Sequence, residues 1–286
     1  MAKEAKAEKK KGKKFVLWII LIAIIAIIGF IVSTLFVSAT TAAILYVESG
    51  TVQVDTGNGW IQAQDEMELK LDYKVKTSAG SSASIALYEG EIVRLSENTE
   101  VSISELTKSS VTISQSSGST WNKITKISGI KDYGVETPTT VATVRGTGFG
   151  VIILTETNLL VDEGIVNFVY GSDKADVNAG EKAVTGNSID ISALTAEDIA
   201  WIDGQTGKDI EVLRKLRLRE VYKHSIVVEA IKMAAKVDDA GIKQALIDID
   251  EGRINENDLI EKSPIQLPSI DKIKAINQQI KELLSP

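Results

Sequence analysis

Two hydrophobic periods divide the chain. Residues 15–37 form an apolar run of 23 positions with no charge, and only Ser33 and Thr34 are clearly polar. From about residue 44 to 192 the apolar positions instead alternate with polar ones. Val52 with Val54, Ile85 with Leu87, Val101 with Ile103, Val111 with Ile113, and Phe149 with Val151 and Ile153 keep a two-residue period, as half-buried strands do. Turn formers separate them, including Gly57-Asn58-Gly59 and Glu89-Gly90. Such turn signals every 8–12 residues or so predict an all-β sandwich, barrel or solenoid. The Ser/Thr-rich stretch 107–120 holds a strand around Val111 and Ile113.

After Thr195 the period lengthens. Thr195 with Asp198 three residues later has the form of a helix start, the hydroxyl and acid capping each other's backbone. Residues 206–236 contain no proline, and Ile210, Leu213, Val221, Val228 and Ile231 fall near one helical face. A second helix is predicted over 240–249. A third follows Ser269, where Ile273, Ile276, Ile280 and Leu283 recur at steps of three and four, a narrow interaction seam.

The first run predicts a membrane span. At 1.5 Å per residue it reaches roughly 34 Å, enough for the hydrocarbon layer. Its first eighteen positions hold fourteen Leu, Ile, Val or Phe side chains, which favour insertion by on the order of 4–8 kcal/mol. Seven lysines against two glutamates in residues 1–14 give that tail a net charge of +5, so the rest of the chain sums to −12. Basic flanks stay in the cytoplasm. The expected order is therefore a cytoplasmic basic tail (1–14), a transmembrane helix (15–37), a spacer (38–43), a β domain (44–192) and a helical C-terminal region (193–286), with the bulk extracytoplasmic. A cleaved signal peptide ending near Val37-Ser38-Ala39 is the alternative.

Composition narrows the chemistry. The acidic body argues against nucleic acid as a partner. With no cysteine and one histidine, His224, thiolate chemistry and paired-histidine metal sites are excluded. No nucleophile–base pair assembles, and Gly146-Thr147-Gly148 lacks the lysine of a phosphate loop. No cofactor and no enzymatic activity are expected. Asp248–Gly252 only faintly resembles a calcium loop. Arg214, Lys215, Arg217, Arg219 and Lys223 form a basic cluster, read as a solvated face, with acidic head groups or an acidic partner as the alternative.

Residues 135–151, VETPTTVATVRGTGFGV, closely resemble the signature of the FecR domain, the family named for the iron-dicitrate transport regulator. Gly59-Trp60 with Ala63, Leu71-Asp72 through Thr77, Ala86 through Leu95 with Asn98-Thr99, Glu163 through Val166, and Ala179-Gly180 resemble its other motifs in order. The resemblance spans roughly 45–190 and implies a β-helix or β-roll outside the cytoplasm. It departs at Leu71, where the family usually has glycine. Family regulators also carry a sizeable cytoplasmic domain that binds a sigma factor, and here only about 14 residues precede the apolar run.

Thr137, Pro138, Arg145, Gly146, Thr147 and Phe149 are thus the candidate partner or structural motif, with Gly146 and Gly148 expected at a tight turn or bulge. Ile273, Ile276, Ile280 and Leu283 are the candidate helix interaction face, packing on the protein's own helices or on a partner. The main expectation is a non-enzymatic binding or scaffolding module of the cell envelope, with the bilayer and an envelope protein, or a second copy, as partners. A transmembrane signal-transduction regulator of the FecR-like sensor or anti-sigma type is the alternative, and an envelope-polymer enzyme a minor one.

Overall fold

The computed structural model describes residues 43–284 apart from 89, 108, 125–129, 145 and 259–268. The basic tail and the predicted membrane span lie outside the described residues. Among those described, no helix is long and apolar enough to cross a membrane.

The strands run β1 (Ala43–Ser49), β2 (Val52–Asp55), β3 (Trp60–Gln62), β4 (Met67–Leu69), β5 (Lys74–Thr77) and β6 (Ser82–Leu87). They continue with β7 (Glu91–Leu95), β8 (Glu100–Leu106), β9 (Ser110–Lys123), β10 (Asp132–Glu136), β11 (Thr140–Val144) and β12 (Gly148–Ile153). The last are β13 (Thr157–Glu163), β14 (Ile165–Tyr170), β15 (Asp173–Asn178), β16 (Glu181–Thr185) and β17 (Ile189–Ala193). Helices α1 (Ala196–Tyr222), α2 (Ser225–Ala235), α3 (Asp239–Asp250) and α4 (Ile270–Leu284) follow.

The chain zigzags between two layers. One has the order β4-β1-β6-β7-β9-β12-β13-β16-β17, the other β3-β2-β5-β8-β9-β10-β11-β14-β15. Neighbours pair antiparallel, except for the parallel pair β9–β10. The long strand β9 belongs to both layers, pairing with β8 through residue 117 and with β7 and β12 beyond. Its corner is Gly118, at φ +78°, where a Cβ would lie 2.5 Å from the Cα of Thr99. No side chain fits there. The expectation of a β domain followed by helices is met by this open two-layered structure, which is not a closed barrel.

Alternation explains the core. Val52, Val54, Val101, Ile103, Val111 and Ile113 point inward from one layer to meet Leu45, Ile85, Leu87, Phe149 and Val151 from the other. The layer containing β1 is apolar on its other face too. Ile44, Tyr46, Ala86 and Ile92 there pack against Val212, Leu213 and Leu216 of α1 and Ile276 and Ile280 of α4. We call it the covered sheet. Among the described residues no element packs on the outer face of the second layer, the open sheet, where Lys74, Glu136, Thr143 and Lys174 are exposed.

Helix α1 begins as its sequence predicts, with a reciprocal cap between Thr195 and Asp198, and continues for 27 residues, about 40 Å. It crosses the covered sheet from strand to strand. Asp198 reaches Lys182 on β16, Ile202 packs with Leu160 on β13, Asp209 meets Arg94 on β7, and Arg219 meets Glu68 on β4. Where one unbroken helix over 206–236 was expected, the chain breaks at Lys223 and His224, and α2 starts at Ser225. Neither glycine nor proline marks this break. The His224 ring is largely buried there.

Candidate functional site

The signature block is divided along β11. Thr137 and Pro138 lie before this strand, and Gly146, Thr147 and Phe149 lie after it. Arg145 lies outside the described residues.

At the far end Gly146 turns the chain with φ +67°. Thr147 is fully buried, and its carbonyl accepts a hydrogen bond from the Ile124 amide at 2.8 Å. Gly148 begins β12 at a bulge, where the register to β13 shifts between Gly148 and Phe149. Phe149 is in the core, edge-on to Tyr133 with ring centroids 6.2 Å apart. The Tyr133 hydroxyl donates to Asn122 Oδ1 at 2.7 Å, and burial holds its pKa well above the ordinary phenol value. The glycines admit two indoles. A Cβ on Gly148 would sit 3.3 Å from Trp121, and one on Gly150 would sit 2.6 Å from Trp201.

Those indoles lead to the polar clamp between sheet and helix. Trp121 Nε1 donates to Asp209 Oδ2 at 3.0 Å. Arg94 Nη1 donates to Asp209 Oδ1 at 2.8 Å and to the Gln205 carbonyl at 2.7 Å, while its Nε donates to Glu48 Oε1 at 3.0 Å. Ser84 also donates to Glu48. Burial raises the Asp209 pKa, against the opposing pull of Arg94 and the Trp121 hydrogen bond. Burial also pushes Glu48 up, but the Arg94 charge and the hydrogen bonds from Ser84 and Arg94 outweigh it and leave Glu48 below its ordinary value. Sequence reading missed this group. Its one local signal is that Arg94 alternates with Ile92 on a single strand face.

The basic cluster divides: Lys215 and Lys223 are exposed, as a solvated face requires, whereas Arg217 turns inward and corrects that reading. Arg217 is buried, bonded to both carboxylate oxygens of Asp250 and to Asn277 Oδ1 at 2.7 Å, so it joins α1, α3 and α4. Arg214 also reaches Asp250, and Lys215 lies 5.7 Å from the Tyr46 ring centroid. Asp250 therefore serves arginines, and Asp248 pairs with Arg253. Among the described residues no group of three or more His, Cys, Asp or Glu is placed to hold a metal ion.

The terminal seam is occupied within the chain. Ile276 and Ile280 are buried against the covered sheet and α1, and Ile273 packs with Val221 and Val228. Leu283 and Gly146 line one cavity of about 280 Å³ with Gly90, Lys123, Glu163 and Gln279, which brings the seam's end to the signature turn. Thr137 and Pro138 instead line a cleft of about 310 Å³ on the open sheet, with Lys74, Glu100, Ser114 and Glu136. Across that face Asp55, Lys74, Ser102, Ser114, Glu136, Val141, Val169 and Lys174 stand in register on eight neighbouring strands. At about 4.8 Å per strand, this mixed-charge row is about 34 Å long. Trp60 flanks it, with Lys76 Nζ 4.3 Å above its ring.

Residues 73–167 match the sequence model of the family described as FecR protein. The chain thus carries a FecR-like domain, and this family is non-catalytic. No curated protein matches the chain. Two crystal structures, each provisionally described as an anti-sigma factor from Parabacteroides distasonis, are similar at 19% and 17% identity, with TM-scores of 0.41 and 0.40. The matches cover 46% and 44% of this chain, and the chain spans 65% and 62% of those proteins.

Proposed function

We propose that this protein is a membrane-anchored, non-enzymatic regulatory module of the cell envelope that binds a protein partner through the outer face of its open sheet. The observation that carries this reading is the asymmetry of the two layers. The covered sheet is taken up by α1 and α4, whereas no described element covers the charged row of the open sheet, most of which falls within the FecR-like residues. Such a flat, polar β face with charges of both signs favours recognition by a complementary protein surface. In this reading residues 15–37 hold the chain in the bilayer, and the β domain and the helices clamped to it act as one extracytoplasmic body.

Site-specific photocrosslinkers placed at Glu136, Thr143 and Lys174 in intact cells are expected to capture a protein, and one at Ile202 on the buried face of α1 to capture none. Absence of adducts from all three open-face positions would sink the proposal. Within this reading the FecR-like match favours a signal-transduction role over passive scaffolding. Deleting residues 2–14 separates the two. A regulator changes gene expression when its cytoplasmic tail is lost, and a scaffold does not.

A further inference from the structure

Helix α2 has two apolar sides, and the described protein covers one. Val228 is buried against Val221 and Ile273, with Ile242 and Leu246 alongside. On the opposite side Ile226 is 78% exposed and Met233 75%, and Val237 just beyond the helix is 39% exposed. At 100° per residue, Ile226, Ala230 and Met233 fall within an arc of about 60°, where a solvent-facing helix normally carries polar residues.

We infer that this stripe is a second membrane contact, with α2 resting its exposed side in the interfacial layer of the bilayer. The inference depends on the proposal that residues 15–37 span the membrane. Five residues, 38–42, separate that run from the start of β1, a reach of at most about 18 Å. The chain entry is near the root of α2. Ile44 is paired with Glu68, Glu68 is held by Arg219 at 2.8 Å, and Ser225 is six residues further along. By chain geometry the start of α2 lies within about 30 Å of Ala43.

Size separates lipid from a second copy. The stripe exposes on the order of 300 Å², well below the roughly 800 Å² per partner that stable dimers bury. Lipid requires no shape complementarity, and a weak contact becomes effective when a tether already holds it at the surface. The flanking charges leave no free cationic excess at Lys232, which is paired with Glu229 and Asp239 at 2.8 and 2.9 Å. Contact should therefore occur on zwitterionic phosphatidylcholine, without anionic lipid.

Because the chain has no cysteine, single spin labels test this in the full-length protein reconstituted in phosphatidylcholine vesicles. Labels are placed through Ile226→Cys, Met233→Cys, Thr143→Cys on the open sheet, and Ile25→Cys. The ratio of oxygen to nickel-chelate accessibility should be several-fold higher at 226 and 233 than at 143. Equal ratios at the three sites, with a deeply buried label at 25, overturn this inference alone. A water-exposed label at 25 overturns the anchoring proposal and this inference with it. Spin–spin broadening between labels at 226 assigns the stripe to a second copy and also overturns the inference.

Discussion

Arg94 and Asp209 lie 115 positions apart in sequence and 2.8 Å apart in space, each almost wholly buried. Their contact turns α1 from an appended helix into part of the β domain. The guanidinium serves Glu48 on β1 as well as Asp209, so one cation holds two carboxylates, and Asp209 also takes the Trp121 indole proton. The opposed pKa directions follow from this division. Glu48, nearer solvent, stays favourably ionised, while Asp209 bears the larger burial cost.

Arg94→Met should therefore be costly. It leaves Asp209 charged in a site with no exposure, and breaking a buried pair in this way costs about 3–5 kcal/mol. Arg94→Met/Asp209→Leu should recover most of the loss, because the two effects are coupled. Urea denaturation followed by tryptophan fluorescence measures both. A single variant within about 0.5 kcal/mol of the parent, as surface changes usually are, would show that the clamp does not hold the helix.

The acid response follows from Glu48. Its folded pKa is depressed, so its stabilising contribution is fully present above the ordinary carboxylate value and is lost as pH falls through the lower folded value. Glu48→Gln removes that contribution. The stability gap between parent and variant should therefore be widest near neutral pH and narrow steadily on acidification. Asp209 has the opposite sign, with a raised folded pKa, so its contribution is present below the ordinary value and declines as pH rises through the folded one. Denaturation midpoints from pH 7 to pH 3 would decide this, and a constant gap would contradict it.

Much of the β domain was legible because each strand shows one apolar side to the common core. Val52, Val54, Val101 and Ile103 needed only the two-residue period. The covered sheet was harder to read, since β1 and β7 are buried on both faces and their sequences do not alternate. Arg94 sits in such a strand, and its partner arrives from a helix over a hundred residues later, so no local pattern gives its role. Arg217 was misread for a different reason. Its spacing from Leu213, Glu220 and Val221 puts it on the buried helical face, and that signal was masked by the charged residues around it.

Two glycines test the close approach of α1 to β12. In Gly150→Ala the new methyl would meet the Trp201 ring at 2.6 Å. The indole must swing away from its edge-on position 6.3 Å from Trp121. Overpacking of this kind costs about 1–3 kcal/mol, and the near-UV circular dichroism from the indole pair should fall. Gly207→Ala, on an exposed stretch of α1 with nothing within 4 Å, should instead stabilise by up to about 1 kcal/mol. If both substitutions were neutral, the glycine in the signature would not be needed for indole packing.

The helices beyond α1 depend on Asp250. Both of its oxygens are taken by Arg217, and Arg214 adds a third contact at 2.9 Å. Asp250→Ala would leave Arg217 buried with Asn277 as its remaining partner among these, and the uncompensated cation should cost about 3–5 kcal/mol. The loss should be local. Residues 239–250 contribute few buried side chains, chiefly Ile249 and Asp250, so α3 should detach before the β layers open. Hydrogen exchange measured by mass spectrometry should then show faster exchange across α3 and the neighbouring turns of α1 and α4, with β1–β17 unchanged. Uniform acceleration throughout the β strands would instead mean that Asp250 supports the whole fold.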